Sequence, residues 1–165
     1  MDDRVWRWFA QSTERLVLAM ALGPVRARLL GVAAFGRPAR VGTRWEGELL
    51  VVVDPLPPRW ARAPWLEAGS GLRLRLLWKG PGALAYPSPR YLEILRRGAI
   101  LHDPEGLLAS TFDLFLDSLT AHGLKVSGTE PFPCWSVDRG WPDGPLTPAR
   151  PQPVAAGRGG SAPGP

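Results

Sequence analysis

The chain has little of the side-chain chemistry that supports disulfide-stabilised or cysteine- and histidine-bound metal domains. It contains one cysteine, Cys134, and two histidines in 165 residues. A single cysteine excludes an intramolecular disulfide, and no group of cysteines and histidines has the spacing of a metal site. No apolar run approaches the roughly 20 residues that cross a bilayer, and no segment has the pattern of a signal peptide. We therefore expect a cytoplasmic protein with no membrane partner.

Internal repeats and the glycine patterns of Walker and Rossmann sites are also missing. Glycine and proline are nevertheless abundant, at 19 residues each, and they dominate the C-terminal end. From residue 140 onward no apolar periodicity remains, which predicts a disordered tail at 140–165 after one domain at 1–139. The net charge of +5 would suit nucleic acid or acidic protein surfaces. Because no long basic run is present, charge is the sole support for an RNA-binding function.

Apolar periodicity predicts a series of helices and strands in residues 1–139. The predicted helices are 2–22, 59–68, 89–98 and 104–124, and the predicted strands are 29–35, 49–53, 72–78, 99–103 and 132–137. The segments 36–47 and 79–89 are predicted to be loops. His102 and Asp103 end one strand, but adjacent residues of a strand point to opposite faces. Asp103 is therefore predicted to cap the following helix and not to form a catalytic pair with His102.

The stretch 32–54 organises this pattern. Leu49–Val53 is a run of five apolar residues, which is typical of a strand covered on both faces. Glu46 and Glu48 precede it, and residues two apart on a strand face the same way, about 7 Å from each other. Gly36 interrupts the preceding apolar strand and permits close approach of a phosphate to the backbone. Two carboxylates facing such a turn suit a divalent metal and a phosphate.

These residues resemble the signature of the nucleotidyltransferase fold of the DNA polymerase β-like superfamily, in particular its minimal prokaryotic branch. Phe35-Gly36 matches a strand that ends in Phe-Gly-Ser, Ala39-Arg40 matches the loop, and 49–54 matches the second strand. About sixty residues later, a second match covers the family's closing strand, with Gly98, Ile100, Leu101 and Asp103 in place and His102 in a tyrosine position. The resemblance implies an α+β fold, a small mixed β-sheet flanked by helices.

The sequence departs from the family pattern at its catalytic positions. Arg37 replaces a serine, and Glu46-x-Glu48 replaces Asp-x-Asp. The strand that supplies a third carboxylate in the family here carries arginine at both polar positions, Arg73 and Arg75. The resemblance implies that Glu46 and Glu48 would be the catalytic Mg²⁺ ligands. It further implies that Gly36, Arg37 and Arg40 would bind the nucleotide.

Two functions remain open on these residues. In the first, the protein is a catalytically degenerate nucleotidyltransferase-like module that binds a partner, such as the helical HEPN-type proteins for which many minimal nucleotidyltransferases act as antitoxins. In the second, it is an active Mg²⁺-dependent enzyme that moves a nucleoside monophosphate from an NTP to a protein or nucleic-acid acceptor. The direction of Arg73 and Arg75 separates them, because an arginine that reaches the glutamates would form a salt bridge in the place of a metal.

Overall fold

The structure, a computed structural model, describes residues 11–16, 27–68, 71–128 and 134–146. Residues 11–16 are helical and are labelled α1. The strands are β1 (Arg28–Val41), β2 (Arg44–Asp54), β3 (Trp65–Ala68), β4 (Leu72–Lys79), β5 (Ala99–His102), β6 (Leu124–Ser127) and β7 (Cys134–Val137). The further helices are α2 (Pro81–Leu84), α3 (Pro89–Arg97) and α4 (Leu107–Ala121), and Arg59–Ala61 forms a 3-10 turn. The fold is of the α+β class.

Five strands form a mixed sheet in the order β3-β4-β2-β1-β5. The central pair β2 and β4 is parallel, whereas β1 pairs antiparallel with both β2 and β5, and β3 pairs antiparallel with β4. The strands β6 and β7 form a separate two-stranded sheet. The predicted small mixed sheet flanked by helices is therefore confirmed.

Strand β2 lies in the middle of the sheet and carries side chains into two cores. Leu49, Val51 and Val53 pack on one face with Leu16 of α1, and Leu50 and Val52 pack on the other. Helices α2, α3 and α4 cover the second face through their buried residues, which are Leu84, Tyr91, Ile94, Leu108, Phe112, Phe115 and Leu119. All five residues at 49–53 are at most 1% exposed. The prediction of a strand covered on both faces is confirmed.

Asp103 fixes the start of α4. Its carboxylate accepts hydrogen bonds from the backbone N–H groups of Leu108 (3.1 Å) and Ala109 (2.9 Å), two donors that the helix itself cannot satisfy. Asp103 therefore caps the helix through its carboxylate, as predicted, but the helix begins at Leu107 instead of residue 104 and its N-cap residue is Gly106. Helix α3, which precedes β5, begins with proline at its first position, where the missing N–H costs nothing.

The predicted loop at 36–47 is wrong, because β1 does not end at Phe35. Its pairing with β2 is irregular between Phe35 and Ala39 and then resumes as far as Val41. The chain reverses in a tight turn at Gly42, whose φ of 62° lies in the left-handed region that glycine tolerates. A two-residue hairpin turn satisfies the backbone of 39–46 by pairing, which a loop would leave to water.

The predicted helix at 59–68 is also wrong. Only Arg59–Ala61 forms a helical turn, and Trp65–Ala68 is instead the edge strand β3. This segment pairs with β4, so tertiary hydrogen bonding outweighs the helical preference of its start. Two further elements, α2 within the predicted loop 79–89 and strand β6, were not predicted.

Both ends of the chain are described in part. Residues 11–16 of the predicted helix 2–22 are helical, and the rest of that prediction lies outside the described residues. Residues 140–146 of the predicted tail lie against the domain, since the Trp141 ring is 5.7 Å from that of Phe115 and the Leu146 N–H donates to the Ala85 carbonyl at 2.6 Å. Residues 147–165 lie outside the described residues. Within the described ranges, none of the helices has the length and apolar character needed to cross a bilayer.

Candidate functional site

The two glutamates of the central strand lie together on the helix-covered face of the sheet. Glu46 and Glu48 continue the alternation of Leu50 and Val52, which places all four side chains on the face that α3 and α4 cover. The helices cover the apolar end of β2 and leave the glutamates at its entrance partly exposed, at 33% and 30% of their side-chain surface. The predicted same-facing pair of carboxylates is therefore present.

The neighbouring strand places an arginine opposite each glutamate. In the parallel register of β2 and β4, Glu46 is level with Arg73 and Glu48 is level with Arg75. The guanidinium-to-carboxylate distances are 3.9 Å for Arg73 and Glu46 and 3.4 Å for Arg75 and Glu48. Both arginines that the sequence singled out therefore point at the glutamates, at the positions where the resemblance implied a third carboxylate.

A third arginine reaches the same site from the helix layer. Arg90, in the first turn of α3, lies 3.7 Å from the Glu48 carboxylate, so two guanidinium groups flank this one carboxylate. The Arg90 guanidinium also lies 5.8 Å from the centre of the Phe35 ring, and that of Arg73 lies 4.1 Å over the Trp65 ring. Stacking on aromatic rings restricts both guanidiniums to the site.

These groups surround an open cleft of about 380 Å³. Its lining consists of Phe35, Glu46, Gly47, Glu48, Trp65, Arg75 and Glu93. At the outer end of the same face, Arg44 pairs with Glu67 at 3.3 Å. Acidic and basic side chains thus alternate across β2, β3, β4 and α3, and their fields largely cancel outside the cleft. The site is polar and ordered by ion pairs, without a strong field of either sign.

The sheet brings some of the predicted nucleotide-binding residues to this site and not others. Phe35 is directly opposite Glu48, so Gly36 begins the irregular part of β1 beside the glutamates. The side chain of Arg37 lies outside the described residues. Arg40 is opposite Trp45, which packs on the other face of the sheet, and its Nε donates to the Gly42 carbonyl at 3.3 Å. Because the hairpin pairing continues to Val41, strand alternation directs Arg40 away from Glu46 and Glu48.

Sequence reasoning missed Trp65, Arg90 and Glu93. Trp65 was hidden because its segment was predicted to be helical. Arg90 and Glu93 carried a usable signal, since residues three apart on a helix share a face and these two open the helix before the closing strand. What the sequence did not indicate is that this face of α3 lies beside Phe35 and Glu48.

The donor set does not fit the Mg²⁺ ion that the resemblance implied. Mg²⁺ requires octahedral oxygen coordination, and guanidinium groups are donors that offer no lone pair. Within the ranges that the structure describes, no three His, Cys, Asp or Glu side chains are grouped to hold a metal. A positive charge about 4 Å away from a cation is unfavourable by about 4 kcal/mol per unit charge at an effective dielectric constant of 20. With Arg73 and Arg75 facing the glutamates, a divalent ion would meet that repulsion.

Comparisons with protein-family models, with curated proteins and with solved structures gave no match to the chain.

Proposed function

We propose that the protein is a nucleotidyltransferase-like module whose cleft carries ion pairs of its own in the place of a metal site and which acts by binding another protein, in the manner of an antitoxin. The observation that carries the proposal is the pairing of Glu46 with Arg73 and of Glu48 with Arg75 across two parallel strands. Cationic side chains stand where the resemblance would place a carboxylate and metal ions.

The resemblance itself draws support from the position of the motif in the sheet. Glu48 of β2 lies opposite Phe35, at the end of the apolar part of β1, and β4 lies on the other side of β2. The resemblance expects this arrangement of glycine-bearing strand, acidic strand and third strand.

The chemistry of the cleft supports binding over catalysis. A guanidinium stays protonated at any physiological pH and cannot act as a general base. Each glutamate also has one more torsion than an aspartate, which loosens a site that needs precision of about 0.5 Å. Fixed pairs of opposite charge instead give a surface that selects a partner and sets its orientation. A helical protein of the HEPN type is the partner that the resemblance suggests.

The direct test incubates the protein with labelled ATP, CTP, GTP or UTP and with Mg²⁺ or Mn²⁺, in the presence and absence of candidate helical partners. We expect no transfer of label and stable co-purification with a partner, unchanged in Glu46→Gln and Glu48→Gln. Metal-dependent transfer to a protein or nucleic acid that is lost in both variants would instead establish the enzyme and overturn the proposal.

A further inference from the structure

The loop between β2 and β3, residues 55–64, displays a tryptophan to solvent. Trp60 is 87% exposed, more than any other large hydrophobic residue that the structure describes, and Tyr86 and Val126 follow at 57% each. An indole carries a large apolar surface that is usually buried in a core or in an interface. No packing within the described fold accounts for this side chain.

The loop that carries Trp60 is held firmly in place. Its 3-10 turn is closed by a hydrogen bond from the Ala61 N–H to the Pro58 carbonyl at 2.9 Å, and Arg62 donates its Nε to the Pro57 carbonyl. Strand β4 holds the end of the loop, because the Trp78 indole donates to the Ala63 carbonyl at 2.7 Å. Pro57 is buried beneath it. Because the backbone of the loop is already fixed, binding does not have to order it, which favours affinity.

The charge of the loop has one sign. The segment PLPPRWARAP contains Arg59 and Arg62 and no acidic residue. Arg59 is exposed next to Trp60, and Arg62 is partly exposed. Tryptophan and arginine are the residues most enriched among those that dominate binding energy in protein interfaces.

We propose that Trp60 anchors a protein partner whose surface has an apolar pocket for the indole, rimmed by carboxylates that meet Arg59 and Arg62. This inference deepens the proposed partner-binding function and rests on it. The loop follows the last residue of β2, whereas Glu48 lies six residues earlier, about 20 Å away along the strand. At its other end the loop leads into Trp65, which lines the charged cleft, whereas Trp60 itself is not part of that lining.

A single-stranded nucleic acid fits this loop less well. Such ligands are bound by a basic track together with several aromatic rings, each stacking on a base. The loop offers one ring and two guanidiniums, and the Nε of Arg62 is already occupied by Pro57. A protein pocket requires only one well-placed anchor.

The test selects binders of the full-length protein from a displayed library of random peptides. We expect the selected peptides to combine aromatic or aliphatic residues with flanking Asp or Glu. Trp60→Ala should weaken their binding about 30-fold, the loss typical of an interface anchor. Arg59→Glu, made separately, should also weaken their binding and should reduce the dependence of that binding on salt concentration. Tyr86→Ala is the matched control, because it removes another exposed ring outside the loop, and it should leave the affinity unchanged.

Thermal unfolding checks that Trp60→Ala keeps its fold. If its unfolding temperature differs from that of the wild type, Trp60→Gln is used in the binding test in place of Trp60→Ala.

The inference is overturned if no peptide is selected, if the selected peptides are basic, or if they bind Trp60→Ala as tightly as the wild type. It is equally overturned if Trp60 instead supports binding of an oligothymidylate, or concentration-dependent self-association in sedimentation. Nucleotide transfer by the cleft would overturn the proposed function while leaving the Trp60 result standing. The two failures are thus distinguishable.

Discussion

Glu48 and Arg75 lie directly opposite each other on adjacent parallel strands, with 3.4 Å between the carboxylate and the guanidinium. The Arg75 side chain is 55% exposed, and an ion pair so open to water contributes roughly 0–1 kcal/mol to stability. The fold therefore does not depend on this pair. Its consequence is chemical, because the sheet fixes a cation beside the Glu48 carboxylate, where it opposes the binding of a metal ion.

Exchanging that cation for a carboxylate should create a metal site. In Arg75→Asp, the new carboxylate would join those of Glu46, Glu48 and Glu93 in the cleft, and the guanidinium 3.4 Å from Glu48 would be lost. We expect Mn²⁺ at about 100 times its dissociation constant to stabilise this variant by about 2.7 kcal/mol and the wild type hardly at all. Thermal unfolding with and without Mn²⁺ measures the difference.

The matched control for the metal site is Arg44→Asp, which reverses an arginine on the same face that pairs with Glu67 instead. It should show no comparable shift. An equal Mn²⁺ response in the wild type would contradict the view that Arg75 excludes the ion.

The cap of α4 gives a prediction about stability. Asp103→Ala removes the acceptor of two backbone N–H groups and should lower the free energy of unfolding by about 1 kcal/mol. Asp113→Ala, at an exposed position of the same helix, should change it by less than about 0.5 kcal/mol. Urea unfolding of both variants decides the matter, and equal losses would remove the case for a capping role.

The junction between α3 and β5 leaves no room for a side chain. A Cβ at Gly98 would stand 2.7 Å from the Ile94 Cα and would also collide with the Ala34 carbonyl. Gly98→Ala should therefore cost about 1–3 kcal/mol, as overpacking does.

Gly82→Ala is the companion variant for Gly98→Ala, because a Cβ there meets no atom within 4 Å of those described. It should be neutral or slightly stabilising, since alanine restricts the unfolded chain. If chemical denaturation gave both variants the same midpoint, the close contact at Gly98 would be disproved.

Tyr91 makes stability depend on pH in the alkaline range. Burial against Phe112 and Phe115 raises the pKa of its phenol above the ordinary 10.0 through desolvation. Above pH 10 the unfolded chain releases this proton and the folded chain retains it, so the free energy of unfolding falls as pH rises. Tyr91→Phe should lose less stability than the wild type between pH 9 and about 11. Urea unfolding across that range checks the difference, and parallel curves would contradict it.

The elements that the sequence predicted correctly are those with a strong local pattern. The five apolar residues at 49–53 indicated a buried strand, and the alternation of leucine and arginine at 72–76 indicated β4. The same-facing glutamates followed from their spacing of two. These features need no knowledge of what lies nearby.

The features that the sequence did not predict depend on distant partners. Trp65–Ala68 has no alternation of its own and becomes a strand because the edge of β4 offers hydrogen bonds. The face of Arg40 depends on how the irregularity between Phe35 and Ala39 is accommodated, because a slip of one residue reverses every later side chain. The pairing of Arg73 and Arg75 with the glutamates required the parallel register of β2 and β4, which no single segment encodes.

Strand β2 is divided into two parts under different constraints. From Leu49 to Val53 every side chain is enclosed, so a change of volume by one methylene is felt throughout both cores. Glu46 and Glu48, which precede that run, are partly exposed to water, so replacing them disturbs little of the interior. Evolution could therefore exchange these acids and the arginines opposite them without sacrificing the architecture, so the chemistry of the cleft is free to change while the scaffold stays the same.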